Sequence, residues 1–255
     1  MRIAIKFAYN GKDFSGYARQ PELRTVEGEI IKALVKQGFI EDTQDAILRS
    51  SSRTDKGVSA FSNIVAFNTI HSKKQIINSL PDDFSDIVFY GAADVDSDFN
   101  PRYAKFRQYR YFLKNSDLDV KKILNTAACF TGTHNFSNFA RVEEFKDPVR
   151  TIDNSILTKD KNFIIIDFFA QTFLWHQIRR IISALVKIGE GRLSKQEIVE
   201  ALANPEKKVD YGLAPAEPLI LNNIIYNLNF EIYNNHLKKL EELENEIITS
   251  IKNYH

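Results

Sequence analysis

The chain has one cysteine, Cys129, so no intrachain disulfide can form, and its five scattered histidines offer no zinc-ligand spacing. Apolar runs fall far short of the ~20 residues that cross a bilayer. No basic leader with an apolar core opens the sequence, and no low-complexity linker divides it. These absences predict a soluble, cytoplasmic protein with no metal and no membrane partner. At 255 residues, one large domain or two small ones can build a core without covalent staples.

The formal net charge of +1 neither demands nor excludes a polyanionic partner, because the local field of a patch decides that. A patch exists. Arg102, Lys105, Arg107, Arg110 and Lys114 occur in one stretch without an acidic residue, interleaved with Tyr103, Phe106, Tyr109, Tyr111 and Phe112. Acidic excess collects instead at Glu241, Glu242, Glu244 and Glu246.

Residues 2–9 alternate Ile3, Ile5, Phe7 and Tyr9 with Arg2, Ala4, Lys6 and Ala8, the period of a half-buried strand. Thr25 as N-cap, with Val26, Ile30, Ile31, Leu34 and Val35 at helical spacing, predicts a helix that Gly38 closes. Strands over 46–53 and 63–69, a helix over 72–80 stopped by Pro81, and a strand over 87–95 complete a β-α-β-β-α-β order. The second half repeats it: a strand over 106–115, a helix over 119–130, strands over 151–159 and 163–171 around Asp160-Lys161-Asn162, a helix over 173–188, and a last strand over 219–232. A short added helix opens on the Ser194/Glu197 capping box. The predicted fold is α+β: two tandem ferredoxin-like halves whose antiparallel sheets face a central cleft. The expected divisions are 1–104, 105–235 and an amphipathic C-terminal helix at 236–255.

Three places hold polar residues that ordinary packing does not require. In Ser50-Ser51-Ser52-Arg53-Thr54-Asp55-Lys56-Gly57-Val58, Asp and Gly can serve a tight turn. Arg53, two residues before Asp55, can equally hold that carboxylate ionised and oriented. In 107–111, alternation puts Arg107, Tyr109 and Tyr111 on one face, either as half-buried strand aromatics or as a stacking platform beside cations. On the helix after Phe173, Arg179 shares a stripe with Trp175, Ile182 and Val186, where it must snorkel or pair with a buried anion. His176 reads as a helix-surface residue.

Arg53-Thr54-Asp55-Lys56-Gly57-Val58 resembles the RTDxGV signature of the tRNA pseudouridine synthase A family. Further blocks agree in order: Phe14-Ser15-Gly16-Tyr17-Ala18-Arg19-Gln20-Pro21 with Thr25-Val26-Glu27-Gly28, Arg107-x-Tyr109-x-Tyr111, Asn135-Phe136-Ser137-Asn138-Phe139, Phe173-Leu174-Trp175-His176-Gln177-Ile178-Arg179, and Ala214-Pro215-Ala216-Glu217. The resemblance spans residues 3–226. Ser52 departs from a usual glycine, Ser59 from a common histidine, and Tyr17-Ala18 from an aromatic-Gln pair.

The resemblance implies the duplicated ferredoxin-like fold and isomerisation of uridine to pseudouridine in the anticodon arm of tRNA, at positions 38, 39 or 40. It implies Asp55 as the catalytic carboxylate, Tyr109 stacked on the flipped uracil, Arg53 positioning RNA or Asp55, and Arg179 paired with Asp55. Arg19, Lys56, Arg107, Arg110, Arg180, Lys187 and Arg192 are candidates for RNA phosphates, with tRNA and a second subunit as partners. The reaction gains and loses no atom, so no cofactor is expected. Other tRNA positions, or a non-catalytic RNA-binding protein with two ferredoxin-like modules, are the alternatives. A metal-dependent phosphoesterase using Asp82, Asp83, Asp94 or Asp96 is a weaker rival, since these acids lack histidine partners.

Overall fold

The computed structural model describes residues 1–80, 84–160 and 162–254. Pro81, Asp82, Asp83, Lys161 and His255, named in the expectations above, lie outside the described residues. In chain order the elements are β1 (Arg2–Tyr9), α1 (Val26–Lys36), β2 (Arg49–Ser50), β3 (Ser59–Asn68), α2 (Lys73–Ser79), β4 (Ile87–Val95), β5 (Phe106–Lys114) and α3 (Val120–Ala127). Then come β6 (Gly132–Asn135), β7 (Val149–Ile152), β8 (Asn154–Asp160), β9 (Phe163–Ala170), α4 (Gln177–Gly189), α5 (Lys195–Ala203), β10 (Leu219–Ile225), β11 (Glu231–Ile232) and α6 (Asn234–Asn253). The protein is therefore α+β, mostly antiparallel, with six α-helices among the described residues.

Two compact units form: Met1–Lys105 with Ile220–His255, and Phe106–Leu219. In the first, β1 lies between β3 and β4 in antiparallel pairing. The outer edge of β3 is shared, because β2 pairs antiparallel at residues 65–66 and β10 pairs parallel at residues 59–60. The stretch 219–232, expected as one strand closing the second half, breaks in two: β10 joins β3 and β11 joins β4. Residues 220–255 thus belong with the N-terminal segment rather than with their sequence neighbours.

Alternation in β1 suggests one buried face, yet all but Lys6 is buried. The second face carries small residues, Ala4 and, on β3, Ala66 beside Ile64, which lets Phe99, Tyr226 and Phe230 pack down on it. Arg2 is buried there because its guanidinium donates to the carbonyls of Phe99 (2.8 Å) and Ile47 (3.1 Å) and to Asn68 Oδ1 (3.0 Å). The strand expected over 46–53 shrinks to Arg49–Ser50, since Asp42 Oδ1 caps a turn at Gln44 (2.6 Å) and Asp45 (2.9 Å), and Ile47 adopts φ +46°.

In the second unit β9 lies between β5 and β8, and β6 pairs with β7. The strand expected over 151–159 changes partner midway: β7 serves β6, Asp153 donates its N–H to Phe169 (2.7 Å), and β8 continues along β9. Directly paired positions share a face, so Arg110 stands opposite Asp167 and makes a bidentate ion pair with both contacts at 2.9 Å. Gln108 adds a third donor to Asp167 at 3.0 Å. Helix α4 begins at Gln177, not Phe173. Trp175 bridges to Arg141, whose N–H donates to its carbonyl (2.8 Å), and His176 takes φ +62°, so the preceding backbone is already diverted from helix. Trp175 consequently stands outside the helical stripe assigned to it.

Removing the carboxylate in Asp167→Ala should destabilise the protein by about 1.5–3 kcal/mol, the range for charged hydrogen bonds, measured by urea unfolding. Arg110→Gln, which keeps one donor, should cost less.

Candidate active site

Asp55 lies on a loop that β3 and the N-terminal segment hold through the backbone. Asn63 is fully buried and turns its amide on the serine run: Nδ2 donates to the Ser52 carbonyl (2.9 Å), while Oδ1 accepts from the Ser52 N–H (3.3 Å) and its neighbour Ile64 N–H (2.8 Å). Ser51 donates its N–H to the Ile64 carbonyl (2.8 Å). One residue before Asp55, Thr54 accepts the Tyr17 N–H at its carbonyl (3.1 Å) and meets the Tyr9 hydroxyl at its Oγ1 (2.7 Å).

The turn itself closes with the Val58 N–H on the Asp55 carbonyl (3.2 Å), and Gly57 supplies φ +85° at its third position, as a type II turn requires. Beyond the turn, Gly11 donates to Ser59 Oγ (2.9 Å) and packs so tightly that a Cβ there would lie 2.2 Å from the Val58 carbonyl oxygen. Asp55 therefore makes the turn with its main chain, and its side chain is half-buried. Arg53 and Lys56 flank it, both exposed.

Glu27 is the residue whose part sequence reasoning missed. It stands in the first turn of α1, where the helix dipole favours a carboxylate, and that carboxylate also accepts the Arg19 N–H (3.0 Å) and the Ser50 hydroxyl (2.8 Å), joining the loop of exposed Arg19 to the serine run. Burial pushes the Tyr17 phenol well above its ordinary value, so it stays neutral beneath this loop.

In the second unit Tyr109 is buried, with its ring edge-on to Phe173 at 5.3 Å and 87°. Arg107 is buried on the same strand face and donates to the Gln171 carbonyl. Tyr111, third on that face, donates its hydroxyl to the Pro215 carbonyl (3.2 Å). Arg179 is half-buried, its Nε on the Ala214 carbonyl (2.8 Å), while the Ala214 N–H returns to the Arg179 carbonyl (3.2 Å). Among the RNA candidates, Arg110 serves Asp167, Arg180 serves Asp210 (2.8 Å) and Arg192 serves Glu190, while Lys187 is half-buried on α4. The Gly212 N–H and then Arg180 hold the Asp210 carboxyl below its usual range.

Of the acids of the phosphoesterase reading, Asp94 has another use, since it accepts Lys73 Nζ at 2.8 Å. Among the described residues no group of three or more His, Cys, Asp or Glu side chains could hold a metal ion, and no helix is long and apolar enough to cross a membrane.

A family model described as tRNA pseudouridine synthase matches residues 126–227. The tRNA pseudouridine synthase A of Thermococcus sibiricus is 42% identical over 258 aligned residues, covering 100% of this chain and 95% of that protein. The chain belongs to the tRNA pseudouridine synthase A family. The family's proteins from Thermococcus onnurineus (43% identical, 89% of this chain and 85% of that one) and Pyrococcus furiosus (39%, 99% and 93%) match to a similar extent. Against the family's blocks, the geometry separates functions within this chain. The Phe14–Pro21 block braces the RTDxGV loop through Tyr17. The Asn135–Phe139 block is architectural: Asn138 donates to Ala201 (2.9 Å) and accepts from Val209 (3.1 Å), and Phe139 stacks on Tyr211 at 5.0 Å.

Asn63→Ala should leave the Ser52 amide and carbonyl without their buried partner, costing about 1–3 kcal/mol. Urea unfolding checks this, and Asn63→Asp, which loses the Nδ2 donor, should also be destabilised.

Proposed function

We propose that this tRNA pseudouridine synthase isomerises uridine in the anticodon arm of tRNA, at position 38, 39 or 40, with Asp55 as its catalytic carboxylate. The observation that carries the reading is the RTDxGV block on a loop clamped at Ser52, Thr54 and Val58, which fixes the backbone that bears the Asp55 carboxylate. The reaction breaks the N1–C1′ bond, turns the uracil and joins C5 to C1′. It needs a carboxylate at the sugar, as nucleophile on C1′ or as base on a ribose proton. A rigid loop suits either role, because catalysis rewards reacting groups held near their working geometry.

A uridine inside a stem must first be flipped out, at a cost of a few kcal/mol. Tyr109 stacks on the flipped uracil and returns about 1–3 kcal/mol. Its edge contact with Phe173 supports this role by fixing the ring. Arg53 positions the RNA backbone or Asp55, and Arg179 pairs with Asp55. Arg19, Lys56 and Lys187 take phosphates. Arg107, Arg110 and Arg180 already have protein partners, so their share in binding is smaller.

The reading extends to a tandem ferredoxin-like fold, supported in the first unit by the strand order β4-β1-β3-β2 and in the second by the succession β5-α3-β8-β9-α4. It also extends to a cytoplasmic homodimer that needs no cofactor, as the family resemblance implies.

Asp55→Ala, verified as folded, should release no tritium from C5-labelled uridine in a tRNA transcript while still binding that tRNA. Release at the wild-type rate would remove Asp55 from the chemistry. Tyr109→Phe should bind tRNA normally, since stacking survives; a rate fall in single-turnover assays would assign work to the hydroxyl.

A further inference from the structure

The basic, aromatic stretch of the sequence does not act as one patch. On β5 its arginines face protein groups, Gln171 for Arg107 and Asp167 for Arg110. Just before the strand the exposure rises. Tyr103 is 80% exposed, and its neighbours Arg102 and Lys105 are exposed as well.

This exposure belongs to a fixed turn. Asn100 and Pro101 are the favoured first and second residues of a β-turn, and the Tyr103 N–H closes it on the Asn100 carbonyl (3.1 Å) while Asn100 Oδ1 takes the Arg102 N–H (3.1 Å). Arg2 holds the Phe99 carbonyl (2.8 Å), the Lys105 N–H reaches Ile225 (2.7 Å), and Ala104 is fully buried. A ring on such a turn loses little freedom when something stacks on it, because most of its ordering is already done.

The turn is also registered to the catalytic loop. The Tyr226 hydroxyl donates to the Pro101 carbonyl, so it must accept from the Ser51 hydroxyl at 2.7 Å, four residues before Asp55. Isolated exposed apolar residues are ordinary. Ile70, 87% exposed, is aliphatic and offers no aromatic face, and Phe145, 96% exposed, has three acids, Glu143, Glu144 and Asp147, against one cation, Lys146, in its segment.

We infer that Tyr103 is a second stacking site of the enzyme, holding an unpaired tRNA base other than the reacting uridine, with Arg102 and Lys105 on the adjoining phosphates. The inference rests on the tRNA-modifying reading above. It joins an aromatic face, which any base can use, to cations that follow the backbone. Through Tyr226 it sets the bound RNA at a fixed distance from the loop of Asp55.

The test uses the full chain and an unmodified tRNA transcript, with tRNA binding and single-turnover tritium release measured separately. Tyr103→Phe should bind as wild type, whereas Tyr103→Leu and Tyr103→Ala should each weaken binding about tenfold, the scale of one lost base–aromatic stack. Thermal unfolding should match wild type. Arg102→Gln and Lys105→Gln should each reduce the slope of log K against log salt by about 1. Ile70→Ala should have no effect. Wild-type affinity in Tyr103→Ala, retained affinity in Tyr103→Leu, or unchanged salt slopes would overturn the inference. A wild-type enzyme that binds tRNA but releases no tritium would instead overturn the function proposed above, leaving the binding comparison readable.

Discussion

The amide of Asn63 occupies the place where β3 and the serine run would otherwise separate, and it answers both polar groups of Ser52 at once. An amide is the side chain able to do this, since it offers a donor and an acceptor on one planar group. With no water to replace it, each bond there acts at low dielectric, and the neighbouring backbone inherits the rigidity. The Ser51, Thr54 and Val58 contacts follow along the same loop, and the Phe14–Pro21 block finds its own place against them. A half-buried carboxylate is then carried on backbone that is not loose.

Charge is distributed by a similar economy of positions. The net charge is nearly zero, so attraction to a polyanion must come from where the cations stand. Cross-strand pairing neutralises Arg110, and a carbonyl occupies Arg107, which keeps the strand intact but removes much of their outward field. Among the exposed cations, Arg19, Arg53 and Lys56 stand on loops in or beside the Asp55 turn, and Arg102 and Lys105 flank Tyr103. Turns suit this task because their side chains escape the pairing geometry of a sheet.

Much of the local structure was legible because its causes are local. Thr25, Ser72 and Ser194 cap the helices their sequences announce, the last two with complete capping boxes, and the Asp55 turn follows from Gly57. Causes remote in sequence were not legible. Nothing in the spacing announces that Gly132–Asn135 is a strand, since its partner among the described residues is β7. The start of α4 at Gln177 rather than Phe173 depends on Arg141 capturing Trp175. Asn63 reads as one polar residue in an apolar strand, and Glu27 as a dipole residue, until the serine run comes beside them. The site motif was legible for a different reason: its spacing matched a known family, whereas the clamp beneath it is visible only in three dimensions.

The first unit is assembled from both ends of the chain, with β10, β11 and α6 completing a sheet begun by β1. During synthesis, β3 and β4 therefore emerge long before the strands that cover their edges. Those edges present unpaired backbone groups until residues 220–232 arrive, the condition under which strands pair with the wrong neighbour. Tyr226, which ties Ser51 to Pro101, arrives with the same late segment. The loop of Asp55 is encoded early yet receives the Tyr226 tie only after residues 220–232 have been made.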